Sequence, residues 1–190
     1  MMNHALGVLG GMGPLASQLF YGMITERTAA ACDQEHIDMI LLSHATMPDR
    51  TTAILEGDVQ GVSDLLLQDC LFLERAGCKA IVAACNTAHY FLHRLEHRLS
   101  IPLISMVRET ADELAGKARG GRVALLATAG TVETGLYQEA LSERDIEIWV
   151  PDEAVLSLVM HLIYDCVKAG RRADASTLAA LDEAVRGAGC

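Results

Sequence analysis

The residue of this chain best suited to chemistry is Cys85, which ends a short apolar run and is followed by Asn86 and Thr87. The run is typical of a buried strand, and ligands of open α/β sheets bind at the carboxyl ends of strands. We expect Asn86 or Thr87 to cap the next helix. A helix N-terminus favours the thiolate, which accepts a proton better than a thiol does. A structural cysteine beside an ordinary helix cap is the alternative.

A glycine-rich turn, Gly-Gly-Met-Gly-Pro at 10–14, follows the first apolar run and opens a helix. Backbone N–H groups in such a turn can hold a carboxylate or a phosphate. The stretch 11–16 also fits the G-x-G-x-x-A pattern of dinucleotide-binding turns. Pro14 suits the first helical turn, but it removes one N–H that a pyrophosphate would use. A tight turn without a ligand is a further alternative.

Cations and hydroxyls follow other predicted strands or lie near a helix end. Arg50 comes after the second strand, and arginine binds carboxylates through paired hydrogen bonds, although an arginine after Pro-Asp is more often a surface loop residue. Lys168 lies near the end of an apolar helix, where the helix dipole also favours a solvated lysine. Thr128 and Thr131 either cap a helix or hydrogen-bond a carboxylate.

The histidines and cysteines do not predict a metal site. Cysteines stand at positions 32, 70, 78, 85, 166 and 190, without a CxxC pair, which indicates free thiols and no zinc. His89, His93 and His97 recur every four residues, but a metal site there would usually need an acidic or cysteine partner. We interpret this stripe as helix surface.

Composition narrows the possible partners. A formal net charge of -10 disfavours nucleic acid and anionic membranes, because neither attracts an acidic protein. No apolar run reaches transmembrane length, and the first residues do not resemble a signal peptide. We therefore expect a cytoplasmic protein that binds a small molecule.

Apolar runs alternate with amphipathic stretches, which predicts parallel strands joined by helices. The predicted strands are 5–9, 39–42, 80–84, 103–105, 123–127 and 146–150. The predicted helices are 15–30, 58–76, 88–98, 107–118, 134–143, 153–168 and 173–185. A weak repeat of strand and small-residue turn suggests two α/β lobes, 1–103 and 104–190, with 119–121 as an alternative boundary.

Five segments in order resemble the aspartate racemase branch of the aspartate/glutamate racemase superfamily. They are Gly-Gly-Met-Gly-Pro at 10–14, Pro-Asp-Arg-Thr at 48–51, Cys-Asn-Thr-Ala-His at 85–89, Ile-Pro-Leu-Ile-Ser-Met at 101–106 and Thr-Ala-Gly-Thr at 128–131. The resemblance implies two similar lobes, each with a parallel sheet flanked by helices, and an active site in the cleft between them. It also implies racemisation of aspartate-like or glutamate-like substrates without PLP or another cofactor, and a homodimer.

The resemblance also assigns roles to residues. Cys85 is the catalytic acid/base at the α-carbon, and Met12 with Gly13 lines the substrate cleft. Arg50 and Thr51 hold a carboxylate. Asn86 and Thr87 hold the ammonium or α-carboxylate, and Lys168 holds a carboxylate.

One family motif is missing from the 190 residues, the strand that leads into Gly-Cys-Thr-Glu with the second catalytic cysteine. Cys166 falls within a predicted helix, and Cys190 falls where a strand is expected to begin. We therefore expect a chain truncated at its C-terminal end, with an incomplete second lobe and impaired activity. The alternatives are a non-catalytic carboxylate-binding module, a maleate isomerase or hydantoin racemase, and, on the glycine turn alone, a nicotinamide-dependent dehydrogenase.

Overall fold

A computed structural model describes residues 5–117 and 121–190. The chain divides into two compact units, Met1–Met106 and Val107–Cys190. The lobe boundary predicted between residues 103 and 104 lies three residues from this division and stays a prediction. The alternative boundary at 119–121 and the predicted end of a helix at 118 involve residues 118–120, which lie outside the described residues.

The first unit is built on a four-stranded parallel sheet in the order β2-β1-β3-β4. Its strands are β1 (Leu6–Gly10), β2 (Met39–Ser43), β3 (Ala80–Ala83) and β4 (Leu103–Ile104). In the register, Val8 of the inner strand β1 lies between Leu41 of β2 and Val82 of β3. Because all strands are parallel, their carboxyl ends lie at one edge of the sheet.

Four helices accompany this sheet: α1 (Pro14–Arg27), α2 (Arg50–Glu56), α3 (Val59–Arg75) and α4 (His89–Leu95). Short 3-10 turns cover Asp33–Glu35 and Glu96–Arg98. Helix α3 buries one face, formed by Val62, Leu66, Cys70 and Leu73. Their spacing of three and four residues is that of one helix face, and they join the strand residues in a single hydrophobic core.

The second unit contains a two-stranded parallel sheet of β5 (Arg122–Ala124) and β6 (Glu147–Trp149), in which Val123 lies opposite Ile148. Its helices are α5 (Met106–Lys117), α6 (Ala129–Glu133), α7 (Leu136–Ser142), α8 (Glu153–His161) and α9 (Ala175–Gly187), and a π-helical segment (Leu162–Val167) continues α8. Two small clusters of buried side chains form its core, and they are centred on Tyr137 and on Leu141.

The predicted α/β class with parallel sheets flanked by helices is confirmed, and the differences are local. Helices α2 and α6 are not predicted, because helices of about two turns or less carry too little periodicity to detect. The predicted helix 153–168 is α-helical only to His161. The predicted strand 123–127 ends at Ala124, although the Leu125 N–H still donates to the Trp149 carbonyl at 3.0 Å.

Across residues 5–117 and 121–190, no helix combines the length and the apolar character needed to cross a membrane.

Candidate active site

Three turns meet at the carboxyl edge of the first sheet. They follow β1, β2 and β3, and they carry the glycine turn, Arg50 with Thr51, and Cys85. Backbone hydrogen bonds join them to the central strand: the His44 N–H donates to the Gly10 carbonyl at 3.2 Å, and the Ala84 N–H donates to Leu9 at 3.2 Å. The sheet topology therefore brings these predicted residues of the first unit to a common edge.

The glycine turn is fixed by close packing and by a buried serine that sequence reasoning missed. Gly11 has a φ of +87°, and a Cβ there would lie 2.5 Å from the backbone of His44. The Ser17 hydroxyl accepts a hydrogen bond from the Gly11 N–H at 3.0 Å and donates to the Gly13 carbonyl at 3.0 Å. Since the Gly11 N–H already binds Ser17, this donor is not directed at a ligand.

Arg50 is buried, with 6% of its surface exposed, and this contradicts the alternative of a surface loop arginine. Its guanidinium donates to the carbonyls of Met47 at 3.2 Å and Pro48 at 2.8 Å, and to that of Met12 at 3.3 Å. The Arg50 Nε is buried without a hydrogen-bond partner. In the part of the chain that the structure describes, no carboxylate forms an ion pair with Arg50.

Met12 and Thr51 are buried beside Arg50, both 5% exposed, and Gly13 is half-buried as the N-cap residue of α1. Arg50 and Thr51 begin α2, whose N-cap is Asp49: its carboxylate accepts a hydrogen bond from the Thr52 N–H at 3.0 Å. The cap explains why a helix begins at this turn although the sequence around it shows no helical periodicity.

Cys85 follows β3 and is half-buried, with its side chain packed against the core of the first unit. The prediction that Asn86 or Thr87 caps the next helix is wrong. Helix α4 begins at His89 with Ala88 at its N-cap position, because residues 86–88 form a tight turn in which the His89 N–H donates to the Asn86 carbonyl at 3.0 Å. Asn86 is exposed, and Thr87 is 6% exposed.

His89 holds the turn that carries Cys85. It is fully buried, at 0% exposure. The Met106 N–H donates to its Nε2 at 3.1 Å, so the ring proton resides on Nδ1, which lies 2.9 Å from the Cys85 carbonyl and donates to it. Burial lowers the pKa of His89, which keeps the imidazole neutral in this bridge.

The interpretation of the histidine stripe as helix surface is therefore wrong for its first member. His93 is half-buried, with Nε2 2.8 Å from the hydroxyl of buried Ser105, and only His97 is exposed. The stripe turns from core to solvent because the chain leaves α4 for a 3-10 turn at Glu96–Arg98. The spacing of four residues between Cys85 and His89 was the available signal for the bridge.

Other cysteines of the first unit differ from Cys85 in their surroundings. Cys70 is fully buried, and this burial together with the charges of Asp69 and Glu74 raises the pKa of its thiol to about 12. Burial also raises the pKa of Cys78. Both thiols pack in the core as small hydrophobic groups and stay protonated at neutral pH.

The second unit carries Thr128, Thr131 and Lys168. Thr128 caps α6: its hydroxyl accepts from the Thr131 N–H at 3.3 Å and lies 3.0 Å from the Thr131 hydroxyl. Both threonines are buried, and of the two alternatives the structure shows the cap for Thr128, whereas Thr131 lies inside α6. Lys168 is exposed at the end of the π-helical segment, and its ammonium lies 3.8 Å from the centre of the Tyr164 ring.

A thiol and a buried cation at one sheet edge suit proton transfer next to a bound carboxylate. Comparison with known proteins identifies the family. The family model described as Asp/Glu/Hydantoin racemase matches residues 9–190. The chain is 26% identical over 149 residues to the broad specificity amino-acid racemase RacX of Bacillus subtilis (strain 168). The aligned residues cover 75% of this chain and 63% of RacX.

Solved structures show the same fold. The aspartate racemase of Picrophilus torridus superimposes with a TM-score of 0.81 at 27% identity, over 97% of this chain and 77% of that one. An aspartate racemase homologue from Pyrococcus horikoshii OT3 superimposes with a TM-score of 0.69 at 22% identity, over 90% of this chain and 74% of that one. With nearly the whole sequence matched by the family model, the chain belongs to the Asp/Glu/Hydantoin racemase family.

Proposed function

We propose that this chain acts as a cofactor-independent racemase on acidic amino acids, with Cys85 as an acid/base at the α-carbon and Arg50 as the carboxylate ligand. The observation that carries the proposal is the burial of the Arg50 guanidinium at the sheet edge that also carries Cys85. Its three hydrogen-bond acceptors are neutral carbonyls. A buried cation without a counterion is costly, and an incoming carboxylate offsets that cost.

The chemistry follows from these groups. The Cys85 thiolate removes the α-proton, the electron pair remains on the α-carbon and its carboxylate, and the Cys85 thiol, after exchange with solvent, returns a proton to the same face. Inversion requires a second acid on the opposite face. Without PLP to delocalise the charge, fixed dipoles and hydrogen bonds must stabilise the carbanion. A carboxylate already paired with Arg50 takes up this charge more readily than a solvated one.

The remaining ligands are proposed on the family resemblance. Met12, Gly13 and Thr51 support the carboxylate near Arg50, and Asn86 and Thr87 bind the ammonium or α-carboxylate. Thr128, Thr131 and Lys168 are proposed as further substrate ligands from the second unit. A homodimer and a cytoplasmic location are likewise proposals, and sedimentation equilibrium tests the first of them.

The number of working acid/base groups is also part of the proposal. No Gly-Cys-Thr-Glu motif occurs in the 190 residues. We therefore expect Cys85 to exchange the α-proton on one face, with impaired racemisation. The chain spans 63% of RacX, so the activity of a longer protein is a separate proposal.

The test is incubation with each enantiomer of aspartate and glutamate in D2O. Proton NMR follows the α-hydrogen, and circular dichroism follows optical activity. We expect α-deuteration with slow or no loss of optical activity, abolished in Cys85→Ser and unchanged in Cys32→Ser, which alters an exposed cysteine. Full racemisation that depends on Cys85 supports the reaction but contradicts the impairment.

Two results contradict the assignment. Exchange that persists in Cys85→Ser shows that another group is the base. Aspartate binding by calorimetry that is equal in the parent and Cys85→Ala, without exchange in either, supports the non-catalytic binding module instead. Whether the chain is a racemase or a binding module, Arg50→Lys is expected to weaken aspartate binding by about tenfold to a hundredfold. Arg98→Lys, at an exposed position, is expected to leave aspartate binding unchanged.

A further inference from the structure

The second unit gathers three potential metal ligands at the junction of α8, the π-helical segment and α9. They are the imidazole of His161, the thiol of Cys166 and the carboxylate of Asp174, and one donor atom from each lies within 4.8 Å of the other two. His161 ends α8, Cys166 lies in the π-helical segment, and Asp174 is the N-cap residue of α9. None of these residues has a role in the proposed racemisation.

The distances between these atoms are close to those between the ligands of one ion. His161 Nε2 lies 3.8 Å from the Cys166 sulfur and 3.5 Å from Asp174 Oδ2. A charged N–H···O hydrogen bond is shorter, at about 2.7–2.9 Å. Around a tetrahedral ion with bonds of about 2.0–2.3 Å, ligand atoms stand about 3.3–3.7 Å apart. His161 Nε2 thus lies at about the ligand–ligand distance from each of the other two atoms, and the Cys166 sulfur and the Asp174 carboxylate lie within 4.8 Å of each other.

A contact with Asp165 orients the first ligand, His161. Asp165 Oδ2 lies 2.9 Å from His161 Nδ1, which leaves Nε2 as the nitrogen that faces Cys166 and Asp174. A carboxylate on the far nitrogen of a ligating histidine is a common feature of protein zinc sites, where it fixes the ring and strengthens the ligand.

The cap of α9 orients the third ligand. Asp174 Oδ1 accepts hydrogen bonds from the Thr177 N–H and the Ser176 hydroxyl, both at 2.7 Å. Its other oxygen, Oδ2, is the atom near His161. One carboxylate therefore serves both the helix cap and the ligand cluster.

The π-helical segment explains why the sequence did not predict this site. Residues five apart on a regular α-helix lie about 140° apart around the axis, because each residue turns the helix by about 100°. In the wider π turn, hydrogen bonds join residues five apart, as between the Lys168 N–H and the Ile163 carbonyl at 2.9 Å. The same winding brings Cys166 beside His161. The sequence-based expectation of no metal site considered CxxC spacing and therefore did not consider this pair.

We propose that His161, Cys166 and Asp174 bind one zinc-like divalent cation, with Asp165 supporting His161 from the outer shell. A thiolate, an imidazole and a carboxylate are the ligand types of Zn²⁺ and Co²⁺, whereas Mg²⁺ and Ca²⁺ prefer oxygen ligands alone. The thiolate and the carboxylate together neutralise the ion. Three protein ligands leave a fourth position for water or an exogenous ligand, and the His161 and Asp174 side chains, both 45% exposed, provide access.

The bound ion joins the end of α8 to the start of α9 and so restrains residues 168–173, which include Lys168. Metal binding at this cluster is independent of the proposed racemase activity, and its readout does not use turnover. Failure of the metal site therefore leaves the assignment of Cys85 intact, and failure of the racemase assay leaves the metal site intact.

The test is titration of the reduced, chelator-treated full chain with Co²⁺, followed by absorption spectroscopy. We expect one equivalent of Co²⁺ to produce a thiolate-to-cobalt charge-transfer band and the visible bands of a four-coordinate ion, both displaced by Zn²⁺. Cys166→Ser is expected to abolish the charge-transfer band. Cys32→Ser and Cys190→Ser, at exposed cysteines, serve as matched controls and are expected to retain it.

Two further variants separate ligation from folding. Asp174→Asn preserves a good N-cap residue for α9 but removes the charge, and we expect it to lose tight Co²⁺ binding with unchanged far-UV circular dichroism. Asp165→Asn is expected to weaken binding by about 10–100-fold, as for other outer-shell partners. The proposal is overturned if no band forms at one equivalent, if the band survives in Cys166→Ser, or if Asp174→Asn binds Co²⁺ as tightly as the parent.

Discussion

Replacement of His89 by leucine tests whether the imidazole bridge holds the turn that carries Cys85. The ring is fully buried, donates to the Cys85 carbonyl and accepts from the Met106 N–H. Leucine fills similar volume but offers neither a donor nor an acceptor. His89→Leu therefore leaves one buried carbonyl and one buried N–H without partners, while the surrounding apolar contacts are largely kept.

The size of the effect follows from these two groups. A buried polar group left without a partner costs about 1–3 kcal/mol, so we expect His89→Leu to lower the free energy of unfolding by about 2–5 kcal/mol at pH 8. His97→Leu makes the same replacement at an exposed position of the same histidine stripe. Its expected effect is within about 0.5 kcal/mol.

The pH dependence gives a second signature. Burial, aided by the neighbouring His93, lowers the pKa of His89 below its ordinary value of 6.5. Below pH 6.5 the unfolded chain binds a proton more readily than the folded chain, so acid reduces the stability of the parent protein. This contribution has a slope of at most about 1.4 kcal/mol per pH unit, and His89→Leu lacks it. The stability difference between parent and variant is therefore expected to shrink as the pH falls from 8 to 5.

Urea unfolding followed by far-UV circular dichroism measures both effects. Fluorescence is less suitable, because the single tryptophan, Trp149, lies in β6 of the second unit. The reasoning is refuted if, at pH 8, the loss of unfolding free energy in His89→Leu exceeds the loss in His97→Leu by less than about 1 kcal/mol. Such a difference is well below the cost of two unpaired buried groups. It is also refuted if the difference between His89→Leu and the parent widens toward acid.

Three further substitutions, two of them paired with a comparison variant, test the packing of the first unit by urea unfolding. Leu66→Ala, at 0% exposure, is expected to lower the free energy of unfolding by about 2–5 kcal/mol. Leu19→Ala, at 65% exposure, is expected to lower it by less than about 0.5 kcal/mol. Equal losses in the two variants would contradict the core described for α3. Gly11→Ala is expected to lower the free energy of unfolding by about 1–3 kcal/mol or more, because Gly11 has a positive φ and an added Cβ would lie 2.5 Å from the His44 backbone. Gly22→Ala, with open space around the new methyl group, is expected to stabilise α1 by up to about 1 kcal/mol. Ser17→Ala removes the partner of the buried Gly11 N–H, for an expected loss of about 1–3 kcal/mol, and a neutral result would show that the glycine turn does not need this hydroxyl.

Sequence pattern was enough to identify the architecture of the first unit. Its strands are short apolar runs, its longer helices have regular apolar faces, and both signals are local. Parallel pairing then follows from the alternation of strands and helices, and parallel pairing alone places the glycine turn, Arg50 and Cys85 at one sheet edge. These predictions needed no knowledge of which side chains touch.

The short helices and the helix ends were less accessible. Helix α2 begins because Asp49 caps it, and a cap involves one side chain and one N–H rather than a repeating pattern. The change from α to π winding after His161 leaves no mark in the apolar periodicity of 153–168. Both features depend on individual hydrogen bonds, which apolar periodicity does not reveal.

What only the tertiary structure decided is which polar side chains are buried and what they contact. The same sequence signals allowed Arg50 to be a surface residue and His89 to face solvent, and packing placed both in the interior. Likewise, the approach of His161, Cys166 and Asp174 depends on a π turn and on the helix that follows it. The physical reason is that local periodicity specifies a face of a helix or strand, whereas burial and ligand geometry depend on the segment packed against that face, which is distant in sequence.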